Sequence, residues 1–325
     1  MRQYHRVLTI AGSDSGGGAG IQADIKTISA LGCYAASAIT AITVQNTLGV
    51  EGVHAVPVPI VEGQIEAVLG DIGADAVKIG MLQSAEIVGC IARKIREHGI
   101  RNVVLDPVMV STSGHRLIEE EAIDALCREL IPLARVITPN IPEAEILLGG
   151  QQLANQQSLP EAARQLAKRF GVSVLLKAGH LTEERLVDYF YDAELDEMSE
   201  LPSVRIHTRN THGTGCTMSS AFASLLAQGK SLKEAAAGAK DYINKAIIAG
   251  ADYEIGHGHG PVDHFYMNRE TIDNYDNTDK QQGNRDKGKQ HCRISNRIRI
   301  ATEGRGYCRG KHHGASRGVG NYGSD

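Results

Sequence analysis

The sequence predicts an α/β protein with a central, mostly parallel sheet covered by helices on both faces. Three observations predict it. Short apolar runs alternate with longer helical patterns along most of the first 180 residues, the order that builds a parallel sheet. The chain is 42 % apolar yet has no Trp and only four Phe, so its core must be aliphatic. Polar residues recur just past the strand-like runs, at Gln45, Asp106, Asn140, Glu143 and Lys177. In a parallel sheet such positions share one edge, where ligands collect.

In order, residues 7–11 form a compact apolar strand. A Gly-rich loop follows, Gly12-Ser-Asp-Ser-Gly-Gly-Gly-Ala-Gly20, and then a helix over 21–31. Strand, glycine turn and helix commonly open a nucleotide or substrate site. A dinucleotide fingerprint fits poorly, because the loop is long and the next strand, 38–44, ends in Gln45-Asn46 with no acid for a ribose. There is no GxxxxGK[ST] phosphate loop. The loop is either a flexible turn or substrate-facing; the density of glycines, for which packing gives no reason, favours the second. Gln45 carries an amide that both donates and accepts, which suits a nitrogen heterocycle, although a solvated loop Gln reads the same way.

Residues 53–58 make an edge excursion, since Pro57 and Pro59 discourage a central strand. Helices are predicted over 60–69, 85–98, 119–130 and 159–170, and strands over 76–79, 102–105, 135–138 and 173–177. Residues 186–191 and 197–206 then read as short antiparallel strands around a turn at 192–196. They lead into Thr208-Arg-Asn-Thr-His-Gly-Thr-Gly-Cys-Thr-Met-Ser-Ser220, a loop that turns directly into a helix. A helix start offers free N–H groups and partial positive charge to an anion. Gly213 and Gly215 allow close backbone approach, and Cys216 lies where that field is expected to lower a thiol's pKa. An ordinary glycine cap with a core cysteine would have the same composition. Helices over 217–228 and 231–250 follow. The loop Gly256-His-Gly-His-Gly-Pro261 lacks the helical spacing of a zinc pair and is expected near the nucleotide end.

Whole-chain properties bound the function. The net charge is −4, which argues against a nucleic-acid protein. Six scattered cysteines without a CxxC pair fit reduced thiols in a cytoplasmic protein. No signal peptide or run of about 20 apolar residues is visible. From 269 to 325 the composition changes. That segment has 12 Lys/Arg against 7 Asp/Glu, a net +5, where residues 1–268 have 22 against 31, a net −9. The sequence therefore predicts a folded domain over 1–268 and a basic, Gly-rich, disordered tail over 269–325, with a weak polyanion-binding arm as the sharper reading.

Six stretches in order carry a resemblance: Ile10-Ala-Gly-Ser-Asp-Ser-Gly-Gly-Gly-Ala-Gly-Ile-Gln-Ala-Asp24, Lys78-Ile-Gly-Met-Leu82, Leu105-Asp-Pro-Val-Met109, Thr138-Pro-Asn-Ile-Pro-Glu143, Leu176-Lys-Ala-Gly-His180 and Asn210-Thr-His-Gly-Thr-Gly-Cys216. Over residues 5–267 the chain resembles the hydroxymethylpyrimidine/phosphomethylpyrimidine kinases of thiamine biosynthesis. Ser15 stands where that family often has Pro. The resemblance implies a ribokinase-like α/β/α fold, a homodimer, ATP and Mg²⁺, and two successive phosphorylations of a small pyrimidine. It implies that Gln45 binds the aminopyrimidine, with Gly12, Asp24 and Met81 lining its pocket. Gly213, Thr214, Gly215 and Cys216 would form the anion hole, Cys216 standing where many relatives carry an Asp base. Asp106, Lys177 and Thr208 would contact nucleotide phosphates, and Asn140 and Glu143 would position Mg²⁺. A pyridoxal kinase of the same superfamily and a non-catalytic pyrimidine-binding protein are the competing expectations.

Overall fold

The computed structural model describes residues 3–109 and 118–268. The predicted tail, 269–325, lies outside the described residues. Nine strands form one sheet: β1 (Arg6–Asp14), β2 (Tyr34–Gln45), β3 (Val50–Ala55), β4 (Ala76–Ile79), β5 (Val103–Leu105), β6 (Val136–Ile137), β7 (Ser173–Leu176), β8 (Arg185–Asp192) and β9 (Glu197–Val204). Their order is β3-β2-β1-β4-β5-β6-β7-β8-β9. The central six are parallel, while β3 pairs antiparallel with β2 at one edge, and at the other β8 pairs antiparallel with both β7 and β9.

The helices are α1 (Gly20–Ala30), α2 (Val58–Ala67), α3 (Ala85–Glu97), α4 (Glu120–Ala125), α5 (Ile141–Leu147), α6 (Leu159–Phe170), α7 (Thr214–Ala227) and α8 (Leu232–Gly250). The two-residue period of each strand sends alternate side chains to opposite faces. Leu8, Ile10, Val77, Ile79 and Leu105 pack with the helices α2 to α6. Val7, Ala76, Val104, Val136 and Leu175 pack against α1, α7 and α8 through Ile28, Phe222 and Ile243. Both faces of the sheet are thus covered, which is why its strands read as compact apolar runs.

Predicted and observed elements agree closely, with one omission. The sequence predicts no helix after Asn140, yet α5 forms there. Its signal is a capping box: Asn140 Oδ1 accepts the Glu143 N–H at 2.9 Å, and Glu143 Oε2 accepts the Asn140 N–H at 2.8 Å. Pro142 sits in the first turn, where a missing N–H is harmless.

The strand order reverses at β1, whose neighbours are β2 and β4. A crevice opens at the carboxyl end of such a switch point. The Gly-rich loop leaves β1 there, and Gly80-Met81 leaves β4 beside it.

Candidate active site

A cleft of about 800 Å³ runs along the carboxyl ends of the strands. Gly12, Gln45, Met81, Asp106, Asn140, Glu143, Lys177, Thr208, Gly213, Thr214, Gly215 and Cys216 all line it. Gln45 and Cys216, which reach it from β2 and α7, therefore share one cavity.

The loop before α7 makes an anion-sized opening in the backbone. Gly213 is the N-cap at φ +79°, and no side chain caps the helix. A Cβ on Gly213 would stand 1.8 Å from the Gly18 carbonyl oxygen, so only glycine allows the two glycine loops to touch. A Cβ on Gly18 would in turn meet the His212 ring at 2.5 Å. These glycines therefore do have a packing use, contrary to the sequence argument, although the loop faces the cleft as expected. Among the described residues no acceptor takes the N–H groups of Gly215 and Cys216. They remain available to an anion at the positive end of a fourteen-residue helix.

Asp14 holds the first glycine loop in shape. Its carboxylate accepts N–H groups from Gly16, Gly18 and Ala19 at 2.8–3.0 Å and meets His212 Nε2 at 2.8 Å. Burial alone would raise this carboxyl, but the His212 bond and the N–H groups of Ala19 and Gly16 outweigh it and hold Asp14 below the usual range. An ionised Asp14 requires His212 to donate from Nε2. The Gln45 amide, 3.2 Å from that same nitrogen, keeps its own N–H groups for a ligand. Sequence reasoning assigns no role to Asp14 or His212. The readable signal was Asp14 opening a Ser-Gly-rich turn, where Asp caps local N–H groups; its contact with His212, across 198 residues, had none.

Opposite the anion opening, Lys177 Nζ donates to Asp106 Oδ1 at 2.8 Å, and Thr138 Oγ1 donates to the same carboxylate at 3.0 Å. Gly215 lies against this pair: a Cβ there would approach Lys177 Nζ at 3.3 Å and Asp106 Oδ2 at 3.4 Å. Glu143 is 4 % exposed. Burial lifts its carboxyl to about 7; Lys177 pulls the other way and Asp106 reinforces the rise. With Glu143 ionised, Asp106, Glu143 and Lys177 together carry one surplus negative charge in a buried setting. That donor set fits a divalent cation shared with phosphate oxygens. Among the described residues no three His, Cys, Asp or Glu side chains form a complete metal cage.

Three expectations need correction. Asp24 does not line the cleft: its carboxylate is fully buried against Lys78 Nζ at 2.9 Å, Thr9 Oγ1 at 2.6 Å and Ser220 Oγ at 2.7 Å. Thr208 reaches the cleft, but its hydroxyl donates to the Ala251 carbonyl at 3.0 Å and accepts the Asn210 N–H, so it secures the loop. The Cys216 thiol is not lowered. Burial pushes it up to about 11, against the opposing pull of Lys78 and with Asp24 and Asp106 adding to the rise. A helix start is a local field; here the desolvation imposed by surrounding chain exceeds it.

The 256–261 loop packs against the loop that follows Gln45 and against the segment 209–212. The Gly258 N–H donates to Thr47 Oγ1 at 3.2 Å and the His259 N–H to the Thr47 carbonyl at 2.8 Å, just beyond Gln45. Asn210 Nδ2 donates to the Gly250 and Tyr253 carbonyls at 2.7 and 2.6 Å. The His212 N–H donates to the Gly260 carbonyl at 3.0 Å, so the 256–261 loop is a strap joining the loop carrying Gln45 to the loop carrying Gly213.

Known proteins share this sequence and architecture. The chain is 50 % identical over 259 residues to a hydroxymethylpyrimidine/phosphomethylpyrimidine kinase of Rhizobium meliloti, covering 80 % of this chain and 96 % of that one. It is 51 % identical over 258 residues to a thiamine biosynthesis bifunctional protein of Geobacter sulfurreducens, covering 79 % of this chain but spanning only 52 % of that relative's length. Two crystal structures are similar. One is a Bacillus subtilis pyridoxal kinase in complex with ADP, with a TM-score of 0.75 at 38 % identity over 82 % of this chain and 99 % of the other. The second is a phosphomethylpyrimidine kinase from Clostridium difficile, with a TM-score of 0.66 at 44 % identity over 74 % of this chain and 99 % of the other. A family model described as phosphomethylpyrimidine kinase matches residues 14–263, which hold all the cleft residues above except Gly12. With a match of that extent and with relatives near 50 % identity, the chain belongs to the phosphomethylpyrimidine kinase family.

Proposed function

We propose that this protein is an ATP-dependent kinase that phosphorylates 4-amino-5-hydroxymethyl-2-methylpyrimidine and then its monophosphate, in thiamine diphosphate biosynthesis. The observation that carries this reading is the shared cleft. The Gln45 amide, its oxygen accepting from Thr43 Oγ1 at 3.1 Å, stands at one end, and the uncapped start of α7 with Cys216 stands beside it. Phosphoryl transfer needs positioning and charge neutralisation more than covalent chemistry.

The Gln45 amide orients the aminopyrimidine, with Gly12 and Met81 as walls. The N–H groups of Gly215 and Cys216 face the transferring phosphoryl group, where each donor contributes about 3–4 kcal/mol to the transition state. The hydroxymethyl oxygen forms its bond to the γ-phosphorus as the bridging bond to ADP breaks, and ADP leaves with that electron pair. Cys216, having released its thiol proton to solvent, takes the hydroxyl proton. Lys177 neutralises phosphate charge, and Asn140 and Glu143 would hold Mg²⁺. When bound, Mg²⁺ supplies charge neutralisation on the nucleotide's phosphate oxygens. Met81 and Gln45 bound the substrate end; Ile243 and Ile247 offer apolar surface elsewhere in the cleft for the nucleotide base.

We also propose a homodimer. Ile42 and Val44 on β2 and Val53 on the edge strand β3 are 51 %, 59 % and 38 % exposed, and a second copy would cover them. Among the described residues no helix is long and apolar enough to cross a membrane.

ADP release is the test, with hydroxymethylpyrimidine, its monophosphate and pyridoxal offered separately. Turnover on the two pyrimidines is expected; turnover on pyridoxal alone would overturn the reading in favour of the pyridoxal kinases the fold also matches. Cys216→Ala should lower kcat by 10²-fold or more while ATP still binds, as general-base loss typically does.

A further inference from the structure

Beneath the cleft, α1 and α7 meet on two rungs. Gly20 and Asp24 are four residues apart and share a face of α1; Cys216 and Ser220 stand in the same relation on α7. On the upper rung the Gly20 backbone N–H favours the ionised form of the Cys216 sulfur. On the lower rung Ser220 Oγ donates to Asp24 Oδ1 at 2.7 Å. Lys78 enters that rung from β4, with Nζ 2.9 Å from both Asp24 oxygens, and Thr9 from β1 completes it at 2.6 Å. All four of these side chains have 0 % exposure.

Such a pair is costly to bury. Desolvation amounts to several kcal/mol per ion, and apolar residues of similar volume commonly do as well or better. Asp24 accepts four hydrogen bonds, two from Lys78 and one each from Thr9 and Ser220, so both members of the pair are fixed in place. The Lys78 cation enters the rung one helical turn below the sulfur. The charged groups facing that sulfur are Lys78 from β4, Asp24 from α1, Asp106 beyond β5 and Lys177 beyond β7. Lys177 is committed to Asp106. Burial would discharge Lys78, but Asp24 and then Cys216 and Asp106 hold it protonated.

We propose that Lys78, held in place by Asp24, is a positioning residue for phosphoryl transfer: the buried cation under Cys216 that stabilises negative charge on its sulfur while the substrate hydroxyl loses its proton. The role in turnover rests on the kinase reading above, whereas the coupling of Lys78 to the sulfur stands independently of it.

The test follows alkylation of Cys216 by iodoacetamide against pH in the full-length protein, resolved from the other cysteines by peptide mass spectrometry, alongside kcat and the KM for ATP. Lys78→Met should slow Cys216 alkylation at pH 8.5 at least tenfold, equal to one pH unit of thiolate population. Its kcat should fall at least tenfold with the KM for ATP within twofold. Asp24→Asn, which removes the opposing negative charge, should speed alkylation at least threefold. A merely structural role predicts that both variants loosen the site and speed alkylation together, and that result overturns the proposal. Should Lys78→Met fail to fold, the Lys78→Gln/Asp24→Asn pair, with both charges removed, is compared with Asp24→Asn alone. A tenfold slower alkylation supports Lys78, and an equal rate overturns it. Alkylation that moves as expected with kcat unaltered would sink the catalytic role while leaving the coupling intact.

Discussion

Gly213→Ala is the sharpest perturbation of the anion opening. Its added Cβ would stand 1.8 Å from the Gly18 carbonyl, where real contacts stop near 3.0 Å, so one glycine loop must retreat by about 1.2 Å. Gly18 cannot move freely, because its N–H is held by Asp14 together with those of Gly16 and Ala19. The N–H groups at the start of α7 are the ones displaced. A misplacement of about 1 Å costs on the order of 10²-fold in rate, and loss of one donor to the developing charge costs about 10²–10³-fold. The residue's φ of +79° adds about 1–2 kcal/mol of folding strain, or about 2–8 °C in Tm for a domain of this size. Gly171→Ala is the control. Gly171 has φ +72° with nothing within 4 Å of an added Cβ, so it incurs the backbone strain without the collision. Steady-state ADP release and thermal unfolding are measured for both. The expected result is a 10²-fold or larger fall in kcat for Gly213→Ala, with kcat for Gly171→Ala within twofold of the parent. Equal kcat losses in both variants, or a Gly213→Ala kcat within threefold of the parent, would refute the anion-opening argument.

Gln45→Ala should raise the KM for the pyrimidine about tenfold, the worth of one hydrogen bond to a buried polar ring, with little change for ATP; equal rises in both constants would remove Gln45 from the ring. Burial lifts the Glu143 carboxyl to about 7 from the ordinary 4.5. The folded state therefore holds this proton longer than the unfolded one, and stability declines as pH rises from about 4.5 through 7. Glu143→Gln, which preserves the capping box, should flatten the Tm profile across that window in Mg²⁺-free buffer, and superimposable profiles would contradict the assignment. Asn210→Ala removes the side-chain donor that the Gly250 and Tyr253 carbonyls accept from. At about 1 kcal/mol each, Tm should fall by about 4–8 °C; an unaltered Tm would show that Asn210 does not anchor the strap.

What the sequence alone determined was local or periodic. Alternation of apolar runs and helical patterns located the strands and nearly all the helices, because 2.0 and 3.6 periodicities are written in neighbouring residues. The polar ends of those runs marked the cleft for the same reason: every parallel strand ends on one edge. The helix α5 was legible too, in the capping box of Asn140 and Glu143, but Pro139 before the cap and Pro142 in the first turn obscured it. Only the tertiary structure decided quantities set by what lies across the fold. Asp24 reads as a pocket residue until Lys78, Thr9 and Ser220 close over it. His212 gains its meaning from Asp14, across 198 residues. The Cys216 thiol pKa moves up rather than down because desolvation depends on the segments packed around a group, and no stretch of sequence carries that information by itself.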